Sequence, residues 1–217
     1  MSLPLRELLE SGARELGVTL SPSSVDRMLL FMMELRKWNR KINLTAISTE
    51  RGIVIKHLLD SLTVVPHLSQ GARCLDLGSG GGFPAIPLAL ARPDLKLTSV
   101  DATLKKIHFQ RHAARLLGLT NLEALHARGE ALAGSHGNGF DVVLSRAFSS
   151  LPEFVSLARP LLALGGVIIA MKGKSGGDEA LEAAPFFEER GLVVSEVVRF
   201  RLPASGDERS LVVIRTV

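Results

Sequence analysis

The chain has 217 residues, 46% of them hydrophobic and 22% charged, with one cysteine and a formal net charge of +4. That length suits one α/β domain with an appendage, and that apolar content excludes a globally disordered chain. A single Cys excludes an internal disulfide, no apolar run approaches the ~18 residues of a membrane span, and the small positive excess is compatible with a polyanionic partner without requiring one.

The opening Met1-Ser2-Leu3-Pro4-Leu5-Arg6-Glu7 is amphipathic and lacks the pattern of a signal peptide, so a cytoplasmic protein with no membrane partner is expected. Residues 5–16 read as an amphipathic helix. Ser21-Pro22-Ser23 starts a second, with Val25, Met28, Leu29, Met32 and Leu35 in helical spacing. Met28, Met32 and Met33 are expected in its core. Arg36, Lys37, Arg40 and Lys41 surround Trp38, which suggests contact with RNA. The plainer alternative is a helix end whose cations complement the dipole, with Trp38 packed inward. Asn43 and Thr45 suit a turn. A third helix is expected over 53–65, with His57 and Asp60 orienting the helices. With no strand evident before residue 72, the chain divides into a helical region, 1–70, and a second unit, 71–217.

From there strands are predicted at 72–77, 95–100, 121–126, 140–145 and 166–171, and helices at 84–91, 104–117, 152–162 and 178–189. Such alternation implies a parallel sheet. Residues 192–200 and 210–214 look like two further strands joined by a loop, so one of them must run antiparallel. Residues 134–139 and 173–178 read as loops, the second a mobile one. Cys74, in an apolar strand, reads as a buried structural thiol.

Asp76-Leu77-Gly78-Ser79-Gly80-Gly81-Gly82-Phe83-Pro84 joins the first strand to the first helix of the alternating part. A strand, a glycine loop and a helix N-terminus form a ligand cradle. Pro84 and Pro87 suit a first helical turn. Gly80, Gly82 and Ala85 satisfy G-x-G-x-x-A, which leaves NAD open, whereas the missing Lys-Ser/Thr excludes a P-loop. The Asp76 carboxylate would repel a pyrophosphate and attract the ammonium and sulfonium of S-adenosylmethionine (SAM). Asp101 ends the next strand, at about the ~20-residue offset of an acid that binds ribose hydroxyls.

The glycine loop, the second acid and the terminal strand pair together resemble a class I SAM-dependent methyltransferase with a Rossmann-like fold. The resemblance narrows on five segments. They are Trp38-Asn39-Arg40-Lys41-Ile42-Asn43-Leu44-Thr45, His57-Leu58-Leu59-Asp60-Ser61-Leu62, the glycine loop, Ser145-Arg146-Ala147-Phe148 and Glu208-Arg209-Ser210-Leu211-Val212-Val213-Ile214. In this order they are similar to the small-subunit ribosomal RNA guanine-N7 methyltransferases, also called glucose-inhibited division protein B. Ala85 stands where that family often has Gly. The resemblance implies methyl transfer from SAM to N7 of one guanine in 16S rRNA, yielding S-adenosylhomocysteine. It also implies cofactor positions at Gly78, Phe83, Gly129, Glu130 and Arg146.

Guanine N7 carries a lone pair and no proton, and the leaving group is a neutral thioether. Such a reaction needs neither a general base nor a general acid, so no catalytic residue is assigned and positioning is expected to dominate. An Arg bidentate to N7 and O6 would block the methylated atom. Arg146 and Lys172 are therefore candidates for O6, for a phosphate or, for Arg146, for the methionine carboxylate. A-form RNA hides this edge, so the target belongs in a loop or an opened helix. His108 and His112 are spaced i, i+4 with no third ligand, so no metal is expected. Lys105, Lys106, Arg111 and Arg115 on one helix suit RNA or a solvated face equally. Two other functions fit the residues: a SAM-dependent methyltransferase for a small molecule or protein, and an NAD(P)-binding oxidoreductase or nucleotide-binding module. A monomer is the default.

Overall fold

The computed structural model describes residues 4–217; the expectation for Met1 to Leu3 lies outside the described residues. Pro4 caps helix α1 (Leu5–Glu15). Ser21 caps α2 (Pro22–Asn39), its hydroxyl accepting from the Ser24 amide, with Pro22 in the first turn. Thr49 caps α3 (Glu50–Ile53), which continues as a π-helical turn, Val54–Leu59, into α4 (Asp60–Leu62). The third helical segment thus begins earlier than its apolar pattern suggests, because its first turn is polar and set by a cap.

The alternating part supplies β1 (Arg73–Leu77), α5 (Ala85–Ala91), β2 (Lys96–Asp101), α6 (Leu104–Leu116), β3 (Leu122–His126), α7 (Gly129–His136), β4 (Phe140–Ser145), α8 (Leu151–Ala158) and β5 (Leu162–Lys172). It closes with α9 (Gly176–Glu182), α10 (Ala184–Glu188), β6 (Leu192–Arg201) and β7 (Glu208–Thr216). One seven-stranded sheet has the order β3-β2-β1-β4-β5-β7-β6. β1 to β5 pair in parallel, and β7 lies antiparallel between β5 and β6. The chain winds outward from β1 to β3 and returns to β4, so the sheet reverses at β1/β4. Ligands bind at the carboxyl ends of strands at such a switch point.

Four local expectations are corrected. Residues 134–136 belong to α7 rather than a loop. The 178–189 helix is two helices broken before Pro185, which has no N–H to continue the ladder. Two of the three glycines of the supposedly mobile 173–178 loop, Gly176 and Gly177, enter α9 and are buried there. α8 ends at Ala158, and a 3₁₀ turn over Arg159–Leu161 leads directly into a long β5.

Burial follows strand alternation. Leu75, Leu77, Val143, Ile168, Ala170, Val212 and Ile214 face α8 to α10 on one side. Cys74, Val142, Leu144, Ile169 and Val213 face the opposite side with Leu88 and Ala89 of α5. Burial raises the Cys74 thiol to about 12, which leaves it unionised and inert. A third cluster joins α1 and α2 to the outer faces of α5 and α6 through Met28, Phe31, Leu35, Phe83, Ile86 and Phe109. Met28 and Met32 are core as expected, but Met33 is 54% exposed because it falls on the outer face of α2. The helical region and the sheet unit therefore share one apolar interface, pinned by the Ser24 hydroxyl donating to the Leu90 carbonyl at 2.8 Å.

Candidate active site

The loop after β1 is built from positive-φ glycines: Gly78 at 73°, Gly80 at 57° and Gly82 at 87°. Those values admit glycine at little cost and strain any other residue. A Cβ at Gly78 would lie 2.7 Å from the Ala147 Cβ, so the loops after β1 and β4 meet there with no room for a side chain. Five of the loop's amides are already engaged, by β2 or by the loop itself. Gly78 and Ser79 donate to the Val100 carbonyl at 2.9 and 3.0 Å, Gly82 and Phe83 to the Ser79 carbonyl, and Gly80 to Asp101 Oδ2 at 2.9 Å. Gln110 braces the loop from α6, donating to Ser79 Oγ and the Gly80 carbonyl. A pyrophosphate needs such amides free, so the G-x-G-x-x-A register here serves loop closure and not a dinucleotide.

Asp76 does not act as the sequence argument supposed. It is fully buried beneath the loop, and its Oδ2 accepts from the Ala85 amide at 3.1 Å, bracing the start of α5. Oδ1 has no partner. Burial holds this carboxyl well above its ordinary range, despite the Ala85 hydrogen bond. Pro84 takes the cap position of α5 and Pro87 lies in its first turn.

A cavity of ≈ 340 Å³ opens at the carboxyl ends of β1, β2 and β3, within the range of small-ligand pockets. Gly78, Asp101, Gly129 and Glu130 line it, so four of the six expected cofactor positions converge there. Val100, Ala102, Ala127, Phe148 and Leu157 add apolar wall. Asp101 Oδ1 accepts from the Thr103 amide at 2.8 Å, and Lys106 lies 3.6 Å from Oδ2. A carboxylate offers about four acceptor positions, so capacity for a ribose hydroxyl remains. A buried acid on the cavity wall and an apolar slot beside the Gly129 backbone fit an adenosyl group. The residues present thus fit SAM.

Phe83 and Arg146 do not line that cavity and instead meet His57 and Asp60. The Phe83 ring is buried between Phe31 and His57, stacked on the imidazole at 4.4 Å between centroids. The Arg146 guanidinium is 5.8 Å from the Phe83 ring and forms an ion pair with Asp60 at 2.9 Å. It also donates to His57 Nδ1 at 3.1 Å. Nδ1 is therefore an acceptor, the ring proton sits on Nε2, and Nε2 donates to Thr45 Oγ1 at 2.7 Å. Asn39 holds Thr45 in turn, its Oδ1 accepting from the Leu44 and Thr45 amides and its Nδ2 donating to the Thr45 carbonyl. Arg209, from β7, donates to the second Asp60 oxygen at 3.2 Å. Burial and the adjacent Arg146 charge lower His57 to about 3. Burial also pushes the Asp60 carboxyl up, while the two guanidiniums work against it.

His57 and Asp60 are thus the centre of a site that sequence reasoning treated as helix packing. The available signal was their i, i+3 spacing, which puts both on one helix face. The π-helical turn carries His57 directly into Asp60; such turns recur at functional sites.

The expected RNA cations divide. Arg36 is paired with Glu50, and Lys37 reaches Glu34 at 3.3 Å. Arg40 and Lys41 are exposed past the end of α2. Trp38 packs on Phe109 and His112 of α6, so its ring belongs to the interface with the sheet unit. His112 pairs with Glu34 at 3.0 Å. Lys172 is turned inward with a side chain only 9% exposed. It donates to the Phe148 and Ser149 carbonyls and pairs with Glu179 at 2.6 Å. It braces the loop after β4 instead of reaching out to RNA. Among the described residues, no group of three or more His, Cys, Asp or Glu is placed to hold a metal.

This fold is that of the SAM-dependent methyltransferases. A SAM dependent methyltransferase from Aquifex aeolicus is similar with a TM-score of 0.61 and 17% identity, over 86% of this chain and 98% of that one. The M. jannaschii TYW2 structure in complex with AdoMet matches with a TM-score of 0.61 and 15% identity, over 82% of this chain and 80% of its own. At these identities the likeness is one of fold. Sequence carries it further: the family model described as GidB, rRNA small subunit methyltransferase G, matches residues 24–212. Proteins named ribosomal RNA small subunit methyltransferase G are similar along nearly the whole chain. The Geobacter metallireducens protein is 52% identical over 99% of this chain and 97% of its own length. The Deinococcus radiodurans protein is 43% identical over 96% of this chain and 84% of its own. The chain belongs to the rRNA small subunit methyltransferase G family, and its methyl donor is SAM.

Proposed function

We propose that the chain transfers the methyl group of SAM to N7 of one guanine in 16S rRNA of the small ribosomal subunit. The observation that carries the N7 reading is the state of His57, the buried imidazole beside Arg146. Both ring nitrogens are engaged, one accepting from Arg146 and the other bonded to Thr45, and its basicity is suppressed to about 3. It is built to position a guanidinium, not to take a proton, and N7 has no proton to give.

Bound SAM supplies an electrophilic methyl group on its sulfonium. Gly78 lets the backbone approach the methionine portion, Asp101 accepts from the ribose hydroxyls, and the Gly129–Glu130 backbone meets the adenine. Phe83 acts by holding His57 and Arg146 in place. Arg146 is the cation nearest the switch point and contacts O6 or a phosphate of the target nucleotide, leaving N7 clear. Arg40 and Lys41, with Lys37, are the exposed cations of the α2 end suited to RNA phosphates. Water exclusion and alignment in the crevice supply the rate.

The test is a radiolabelled methyl-transfer assay on 16S rRNA and on small subunits from a strain lacking this enzyme, with the modified base mapped chemically. Label on a single guanine, with strand scission diagnostic of N7 methylation, is expected. Label on another guanine atom, or only on a protein or small molecule, would sink the proposal.

A further inference from the structure

The sheet topology brings a second set of cations to the edge that carries the crevice. β6 and β5 both run antiparallel to β7, so the carboxyl ends of β5 and β6 and the start of β7 lie on the same side as the carboxyl ends of β1 and β4. A cavity of ≈ 400 Å³ opens there, lined by Lys174, Arg199, Arg201 and Arg209 with Asp178 and Glu208. Arg199 and Arg201 share one face of β6 by strand alternation. The Arg199 guanidinium lies against Gly177, where a Cβ would overlap it, and is exposed beyond. The side chains of Lys174 and Arg201 are 82% and 75% exposed. Their shared partner Glu208 lies at 3.4 and 3.8 Å, in solvent-screened contacts of little strength. Arg209 joins this rim to the crevice, because Asp60 holds it together with Arg146.

We propose that the loop end of the β6–β7 hairpin is an RNA-contact surface that grips phosphates flanking the target guanine, through Arg199, Arg201 and Lys174. This rests on the rRNA reading above. From β4 to β6 is three inter-strand steps, about 14 Å. That distance exceeds the target nucleotide itself and matches backbone further along the same single-stranded segment. Three exposed cations, Lys174, Arg199 and Arg201, against Asp178 and Glu208 favour a polyanion, and exposed guanidiniums suit phosphate oxygens.

The experiment measures 16S rRNA binding as a function of salt, and steady-state methylation, for Arg199→Ala/Arg201→Ala. An Arg14→Ala/Lys96→Ala protein removes the same charge at exposed positions on α1 and at the start of β2, away from the rim. The rim variant is expected to lower the slope of log K against log salt by about 1.4, as for two phosphate contacts on single-stranded RNA. Its KM for 16S rRNA should rise roughly tenfold or more near 0.1 M salt, with SAM affinity and kcat retained. Equal shifts in the control protein would overturn the proposal, as would a wild-type slope and KM in the rim variant. So would loss of binding to intact small subunits with naked rRNA bound normally, since the rim would then meet ribosomal protein. A wild-type protein that binds RNA through the rim but never methylates it counts against the rRNA methyltransferase reading alone.

Discussion

The two sides of Gly78 are built from different materials. On the cavity side the shape comes from backbone: positive-φ glycines, amides closed onto Val100 and Ser79, and the turn after β3. On the crevice side it comes from side chains of five segments that meet at Asp60 and His57. Asn39, Thr45, Phe83, Arg146 and Arg209 arrive from α2, the turn after it, the glycine loop, the loop after β4, and β7. A backbone cradle tolerates change in most side chains and fails where a Cβ enters. A buried charge network fails when any one partner leaves.

Removing the central acid is the most damaging way to probe this difference. Asp60→Ala leaves two guanidiniums facing each other without a counter-charge. Breaking a buried ion pair costs about 3–5 kcal/mol. Arg146 and Arg209 keep 22% and 26% side-chain exposure, which puts the expected loss near the lower end, about 3 kcal/mol, in denaturant unfolding. SAM affinity of the folded fraction should stay close to wild type by calorimetry, whereas 16S rRNA methylation should collapse. A stability loss under about 1 kcal/mol would show that the network does not hold the crevice together.

Gly78→Ala probes the other side. The new methyl group would meet Ala147 at 2.7 Å in a backbone conformation with φ 73°. Left-handed strain of about 1–2 kcal/mol and overpacking of about 1–3 kcal/mol combine. The loops after β1 and β4 should relieve this by moving apart, and SAM binding should weaken on the order of 100-fold. If both variants shift SAM affinity and RNA methylation in the same proportion, the two sides are one unit and the contrast drawn above is wrong.

This contrast also explains what was legible in the sequence. The β1 loop, Asp101 and Gly129–Glu130 each follow or end a strand, and parallel strands place such positions together whatever the side chains do; spacing pointed to the loop and Asp101, and the family resemblance to Gly129–Glu130. The topology was legible for the same reason, down to an antiparallel strand in the closing pair. Phe83 and Arg146 entered as cofactor positions from the family resemblance, and the contacts their side chains make with His57 and Asp60 were not legible in the sequence. Periodicity carries no term for such contacts. Lys172 was read by position as a candidate for the guanine O6 or a phosphate, although an acid on the next element, Glu179, and two loop carbonyls draw it inward. Asp76 was read as a charge, yet the burial that fixes its chemistry is a property of the packed loop.

The smallest expected effect separates the two sides by pH. His57 has its folded value depressed to about 3 by burial and by Arg146, against an ordinary value of 6.5. Between those values the unfolded chain binds a proton that the folded chain refuses, so stability rises with pH across the window. The contribution is complete above about 6.5 and is lost as pH falls toward the folded value. Between about pH 6.5 and 4.5, before most carboxylates titrate, one proton at about 1.4 kcal/mol per pH unit gives roughly 2–3 kcal/mol. His57→Gln removes the titrating ring, and its unfolding free energy should be correspondingly flatter over that range. SAM affinity should show no matching step, since no imidazole lines the Gly78 cavity. A wild-type protein whose stability is level from pH 6.5 to 4.5 would mean that His57 accepts a proton in place. Arg146 would then face an imidazolium, and the crevice could not hold its guanidinium where it lies.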